Sequence, residues 1–189
     1  MPSPGGWEGE AQGQVLPDPA PGLRPDLPTR AGGLLFLLNA LARRGFPQWL
    51  RQRHDSLQRR QEFTLTLLML ALVRLRVGGE DPIWGALVPG AGRHQSAVWV
   101  RCRRLAGRPE VCRWLRRLRR ELRQRHQIGL EELVLRRGRL HTTATHLEVG
   151  FDLDQVDLRI RMGGLDLDPG WLPWLGRVVS FRYGQDAGP

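Results

Sequence analysis

The stretch THLEVGFDL (145–153) decides the fold class, because its apolar and polar side chains alternate one by one. Alternation with a period of two is typical of a β-strand that buries one face. The apolar positions change parity across Asp154 and Gln155, and the second apolar set comprises Val156, Leu158, Ile160 and Met162. A change of parity across two polar residues predicts a hairpin of two antiparallel strands.

Further strands are predicted on either side of this hairpin. Leu133 and Leu135 alternate with charged or small neighbours, and RRGR (136–139) has the composition of a turn. The segment VVSFRY (178–183) repeats the alternation near the end of the chain. A small antiparallel sheet is therefore expected over residues 131–183.

The chain before this sheet has the period of helices. Helical segments are expected between about residues 30 and 127, with stops at Gly45 and Gly107 and a loop at PGAG (89–92). Asp55 or Ser56 is placed to cap a long helix that runs to about residue 76. Helices followed by an antiparallel sheet predict an α+β fold.

Residues 1–28 differ from the rest, because they hold Pro clusters such as VLPDPAPGLRPDLP (15–28) and no apolar period. Such a segment cannot offset the entropy cost of ordering, and we interpret it as a disordered leader. Thr29 is expected to cap the first helix and to open a single α+β domain over residues 29–184. The start MPSPGGWEGE has no secretory pattern and no apolar run is long enough for a bilayer, so we expect a cytoplasmic protein without a membrane segment.

Positive charge is the main compositional bias. All 29 basic residues are arginines, as expected for a very GC-rich genome, and the net charge is +10. The predicted helix 109–126 has an apolar stripe along one side. The opposite side carries Arg113, Arg116, Arg117, Arg120 and Arg123. This side, with Trp99 and Trp114 nearby, is the candidate contact for nucleic acid or another polyanion. The alternative is a solvated basic helix in an arginine-biased protein.

Two other helices have an excess of apolar residues. The segments Leu34–Leu41 and Phe63–Val73 leave almost no polar face, so each must be covered on nearly every side. Either the sheet wraps them, or another chain covers part of them. The residues predicted for such a partner surface are Leu34, Leu37, Leu38, Leu67 and Leu70.

Catalytic motifs are missing from the sequence. The absence of Lys excludes a Walker A loop and Schiff-base chemistry, no serine stands in GxSxG, and no histidine pair has metalloprotease spacing. Cys102 and Cys112 are interpreted as core thiols. Asp152, Asp154 and Asp157, like Asp166 and Asp168, are interpreted as turn formers, with a Mg²⁺ or Ca²⁺ site or an acid–base pair as the alternative. No catalytic residue, cofactor or metal is predicted, and the protein is expected not to be an enzyme.

The segment DPGWLPWLG (168–176) is interpreted as a structural motif. Asp168, Pro169 and Gly170 form a turn sequence, and Trp171 and Trp174 are spaced to lie on one side of a single turn. Both rings are expected to pack on the sheet face formed by Val149, Phe151, Leu158 and Ile160.

Four segments also carry a resemblance to a known group of proteins. They are GLLFLLNAL (33–41), DPIWGAL (81–87), THLEVGFDL (145–153) and GLDLDPGWLPWLGRVVSFRY (164–183). Together they resemble an uncharacterised family from GC-rich bacteria whose members begin with an AGLLFLLN-like helix and end in DPGWxPxxGRxxxFxY. This chain is short for a member of that family. The resemblance implies an association with phage-tail-like contractile injection systems, and it transfers no catalytic or binding residue.

These observations lead to two main hypotheses. The first is a non-enzymatic assembly or accessory protein that joins other protein subunits in a larger particle such as a contractile injection system. The second is a small basic nucleic-acid-binding protein that uses the Arg-rich helix 109–126. A third, an acid- or metal-dependent hydrolase at the aspartate turns, has the least support.

Overall fold

The computed structural model describes residues 27–88 and 93–184, with only the backbone described for residues 93–96. The predicted PGAG loop, the chain end after Gly184 and all of the predicted leader except Leu27 and Pro28 lie outside the described residues. Most helices precede a five-stranded sheet, which confirms the α+β class.

The first six helices in the described part of the chain agree with the sequence pattern. They are α1 (Phe36–Arg43), which continues a 3-10 turn at Gly32–Leu35, α2 (Phe46–Arg53), α3 (Leu57–Arg74), α4 (Ile83–Leu87), α5 (Arg93–Ala106) and α6 (Pro109–His126). Ser56 caps α3 by accepting a hydrogen bond from the Arg59 amide at 3.3 Å. Gly45, with a φ of 72°, separates α1 from α2.

Two predicted strands are short helices instead. Residues Leu130–Val134 form α7 and residues Leu158–Met162 form α8, so the predicted hairpin across Asp154 is wrong. Asp157 caps α8 by accepting a hydrogen bond from the Arg159 amide at 2.9 Å, which stabilises a helix where alternation alone favoured a strand.

The sheet is mixed rather than purely antiparallel. Its strands are β1 (Leu27–Thr29), β2 (Gly138–Thr142), β3 (His146–Phe151), β4 (Gly170–Leu172) and β5 (Arg177–Tyr183), in the order β1-β2-β3-β5-β4. Strand β5 runs parallel to β3, with Leu147 opposite Val179, and the other neighbours are antiparallel. Residues 152–176, which contain α8, are long enough for the crossover that a parallel pair requires. The predicted turn at RRGR is also wrong, because Gly138 and Arg139 belong to β2.

The start of the domain differs from the prediction as well. Thr29 ends β1 and caps no helix, since its hydroxyl donates to Asp81 Oδ1 at 2.6 Å. The Asp81 carboxylate also accepts from the amides of Arg30 at 3.1 Å and Ile83 at 3.0 Å. This buried carboxylate therefore links the edge strand to the start of α4, and the ordered domain begins before residue 29.

The predicted partner surface is in the core. Leu34, Leu37, Leu38 and Leu67 are at most 1% exposed, and only Leu70 is half-buried, so this prediction is wrong. The physical reason is that α1 contacts the sheet on one side and other helices on the other. The ring of Phe36 lies 5.1 Å from that of Phe151 and 4.8 Å from that of Phe181, between centroids. α1 also contacts α2 and α6, so its apolar surface is covered within the chain.

The C-terminal motif has a different packing from the one expected. Trp174 is buried against Phe46 of α2, with ring centroids 5.5 Å apart, whereas Trp171 on the edge strand β4 is 56% exposed. The proposed sheet face was also wrong, since Leu158 projects from α8 and is exposed. Asp168 extends the ladder beyond β4, because its Oδ1 accepts from the Phe181 amide at 2.6 Å.

Candidate nucleic-acid interface

Helix α6 separates its apolar and basic residues onto opposite sides. Val111, Leu115, Leu118 and Leu122 are buried against the rest of the domain. The predicted polyanion residues are all exposed, and we call this set the basic face: Arg113, Arg116, Arg117, Arg120 and Arg123. At 3.6 residues per turn and 1.5 Å per residue they span an arc of about 120° and a length of about 15 Å.

The charges of the basic face are not neutralised within the described part of the chain. No described residue forms an ion pair or hydrogen bond with these five guanidinium groups, and that of Arg117 lies 5.6 Å from the centroid of the Trp114 ring. Glu121 of the same helix is buried and already paired with Arg44 at 2.6 Å and Arg125 at 3.4 Å. The basic face therefore presents uncompensated positive charge to solvent.

Aromatic rings lie beneath the N-terminal end of the basic face. The ring of Trp114 is 5.3 Å from that of Trp49 and 4.9 Å from that of Phe46. Trp49 is half-buried, and it borders a small groove of about 90 Å³ together with Arg53, Arg113 and Arg117. Rings beside guanidinium groups are the combination that stacks bases and binds phosphates.

Sequence reasoning missed part of this arrangement. Trp49 and Arg53 come from α2, and nothing in the local pattern connects them to α6. Trp99, which the sequence suggested as the second aromatic residue, instead lies 5.4 Å from Trp84 in a different groove. The only available signal was the acid-poor composition of residues 93–126, which hold twelve arginines and two glutamates.

The aspartates have structural contacts. Asp157 pairs with Arg136 at 2.8 Å and with Arg159, and the Arg159 hydrogen bond lowers the pKa of this carboxyl to about 2. The Asp166 carboxylate is buried, and its Oδ2 lies 3.2 Å from Nε of Arg161. Asp152 and Asp154 are exposed. Within the described ranges, no three His, Cys, Asp or Glu side chains are grouped so as to hold a metal ion.

The two cysteines have different surroundings. Cys102 is in the core, where burial raises the pKa of its thiol, and its Sγ is 3.8 Å from the Glu62 carbonyl oxygen. Cys112 is only half-buried, so the interpretation as two core thiols holds for Cys102 alone. A raised pKa disfavours the nucleophilic thiolate at Cys102.

Comparisons with known proteins give no assignment. No protein-family model, curated protein or solved structure matches this chain. Among the helices in the described part of the chain, none has the length and apolar character needed to cross a membrane.

Proposed function

We propose that the protein binds nucleic acid by contacting its phosphate backbone with the basic face of α6. The observation that carries the proposal is the exposure of five arginines on one side of one helix with no ion-pair partner in the described chain. Such a surface lowers its electrostatic free energy by releasing counterions from a polyanion.

The geometry also favours a nucleic acid over a diffuse anionic surface. Arginine donates paired hydrogen bonds to phosphate oxygens, and the five guanidinium groups lie in a strip about 15 Å long. Trp49 beside Arg113 and Arg117 adds a partly accessible ring on which an unpaired base can stack. No base-reading motif is present, so the expected binding depends on charge and tolerates changes of sequence.

The test is the salt dependence of binding. Each phosphate neutralised contributes about −0.9 to the slope of log K against log salt for duplex DNA and about −0.7 for single strands. The variant Arg116→Gln/Arg117→Gln/Arg120→Gln/Arg123→Gln should flatten this slope and weaken binding. Fluorescence anisotropy with labelled oligonucleotides measures both quantities.

A matched control removes the same number of charges elsewhere. The variant Arg74→Gln/Arg76→Gln/Arg137→Gln/Arg139→Gln changes four exposed arginines outside α6. It should keep most of the wild-type slope, since its charges do not contact the strand. Equal losses in the two variants would mean that net charge, not the basic face, controls binding, and no binding near physiological salt would refute the proposal.

A second candidate function is a non-enzymatic subunit of a larger particle, such as the contractile injection system that the sequence resemblance suggests. It is favoured by a groove of about 860 Å³ between α3, α4 and α5, bordered by Leu70, Trp84 and Trp99. Val73 and Val100 also border this groove and are 60% and 49% exposed, so they add to its apolar surface. Sedimentation velocity should then show concentration-dependent association that Val73→Asp/Val100→Asp reduces, and a monomer at every concentration would contradict self-assembly.

A further inference from the structure

A second basic surface lies beyond the N-terminal end of α6. The end of α2, the first turns of α3 and the end of α5 enclose a groove of about 340 Å³. Its border includes Arg59, Arg101, Arg104 and Arg108, with Phe63 and His54 beside them, and we call it the arginine groove. Four arginines, one from α3, two from α5 and one that directly precedes α6, therefore converge on one small volume.

Three of the four guanidinium groups have no partner among the described residues. Arg101 is paired with Glu62, with 2.6 Å between Nε and Oε1. The side chains of Arg59, Arg104 and Arg108 have no ion pair or hydrogen bond with any described residue. Among the described residues at the border of the groove, Glu62 is the only acidic one, so the four arginines outnumber the acidic side chains there.

The imidazole of His54 adds an unused polar atom. Burial lowers its pKa, and the nearby Arg108, Arg59 and Arg53 lower it further, while Glu110 opposes them. The ring lies 5.5 Å from that of Phe63 and 6.0 Å from that of Trp49, between centroids, and its Nε2 is buried without a hydrogen-bond partner. The groove thus has an aromatic wall as well as basic groups.

The arrangement of charge differs from that of the basic face. On α6 the arginines follow a line, which suits successive phosphodiesters with one negative charge each. In the arginine groove the arginines converge on one point, which suits a single anionic group with more than one negative charge. A phosphomonoester carries a charge of about −1.5 to −2 and three acceptor oxygens.

We infer that the arginine groove binds a phosphomonoester, namely the terminal phosphate of a nucleic-acid strand whose backbone lies along the basic face. This inference rests on the proposed function. The two surfaces are adjacent, because Arg108 directly precedes the first residue of α6. Arg53 and Glu110, which influence His54, also border the small groove that contains Arg113 and Arg117.

The experiment compares the affinity of the protein for two single strands of the same sequence, one with a 5′-phosphate and one with a 5′-hydroxyl. A third strand with a 3′-phosphate shows whether the groove binds the 3′ end instead. We expect one phosphorylated strand to bind at least about tenfold more tightly than its hydroxyl form, as charge-assisted hydrogen bonds from arginines predict. The variant Arg104→Gln/Arg108→Gln should bring this ratio close to one. The variant Arg116→Gln/Arg120→Gln should weaken all strands and keep the ratio, and Arg137→Gln/Arg139→Gln should change neither quantity.

The outcomes separate this inference from the proposed function. Equal affinity for phosphorylated and hydroxyl strands overturns the inference and leaves the proposed function standing. If no strand binds, the proposed function fails, and calorimetric titration with adenosine monophosphate against adenosine tests the groove alone. Binding of the monophosphate that Arg104→Gln/Arg108→Gln abolishes then supports a phosphomonoester pocket, whereas the same weak response to both compounds overturns it.

Discussion

Truncation of Trp174 should destabilise the domain strongly, whereas truncation of Trp171 should not. Trp174 is 6% exposed and its ring lies 5.5 Å from that of Phe46, at an interplanar angle of 78°. Phe46 in turn contacts Trp114, so the removed indole would leave a cavity inside the aromatic cluster beneath the basic face. Such Trp→Ala changes cost about 3–5 kcal/mol, a large part of a total stability of about 5–15 kcal/mol.

The assay is thermal and urea unfolding followed by far-UV circular dichroism. For a domain of this size each kcal/mol shifts the melting temperature by about 2–4 °C, so Trp174→Ala should melt about 6–20 °C below wild type. Trp171→Ala is the matched control, because the same indole is removed from a side chain that is 56% exposed. Its cost should stay near 0.5 kcal/mol, as is usual for surface substitutions.

Two results would refute this reasoning. If Trp171→Ala destabilised the domain as much as Trp174→Ala, the edge-strand indole would be packed against something in solution. If Trp174→Ala unfolded at the wild-type urea midpoint, the ring would not be part of the core. In either case the two indoles of the C-terminal motif would not differ in burial as the structure places them.

Two further predictions concern electrostatics and backbone strain. Because the Arg159 hydrogen bond lowers the pKa of Asp157 from 3.8 to about 2, its stabilising effect is present above pH 3.8 and lost toward pH 2. Urea unfolding of Asp157→Asn should show a flatter pH profile in that window, and an unchanged profile would contradict it. Gly176→Ala should destabilise by more than about 1 kcal/mol, since its φ is +76° and its new Cβ would lie 2.4 Å from Gln61 Nε2. Gly79→Ala is the control, because a Cβ added there would have open space around it, and it should destabilise the domain less. Equal melting temperatures for the two variants would show that Gly176 is not strained by a side chain.

The larger helices could be predicted because their signals are local. Ser56 caps α3, and Pro109 starts α6 on a residue with no amide to satisfy. The apolar stripe of α6 repeats over several turns, which fixes both its type and its buried side. The exposure of the basic face follows from that stripe.

The short elements could not be predicted in this way. α7 and α8 have five residues each, and over so few positions a helix and a strand give nearly the same apolar pattern. Their identity depends on hydrogen bonds at the ends, such as Asp157 to the Arg159 amide and Glu132 to the Gly129 amide. The parallel pairing of β3 and β5 joins strands that are distant in the sequence, so no local pattern predicts it.

The prediction of a partner surface on the apolar helices was wrong for a different reason. The sequence shows how much apolar area a helix has to bury, but not which elements cover it. Leu37 is covered because α1 lies between the sheet and the other helices, and Leu67 is covered because α3 contacts α5, α6 and the 3-10 turn before α1. Val73 and Val100 are among the large apolar side chains that remain exposed, and only Val73 belongs to one of the two segments with an excess of apolar residues.

The position of the arginines argues for a binding role more strongly than their number. A GC-rich genome would account for the use of Arg in place of Lys, but such a bias would act on the whole gene alike. Residues 93–126 nevertheless hold twelve arginines and two glutamates, whereas residues 130–184 hold seven arginines and eight acidic residues. Mutational bias cannot produce this difference within one domain. Like charges gathered on one surface also repel each other and destabilise the fold, which disfavours retaining them unless an opposite charge neutralises them. The described part of the chain supplies no ion pair to the basic face, and this distribution of charge is the one that the proposed contact with a polyanion requires.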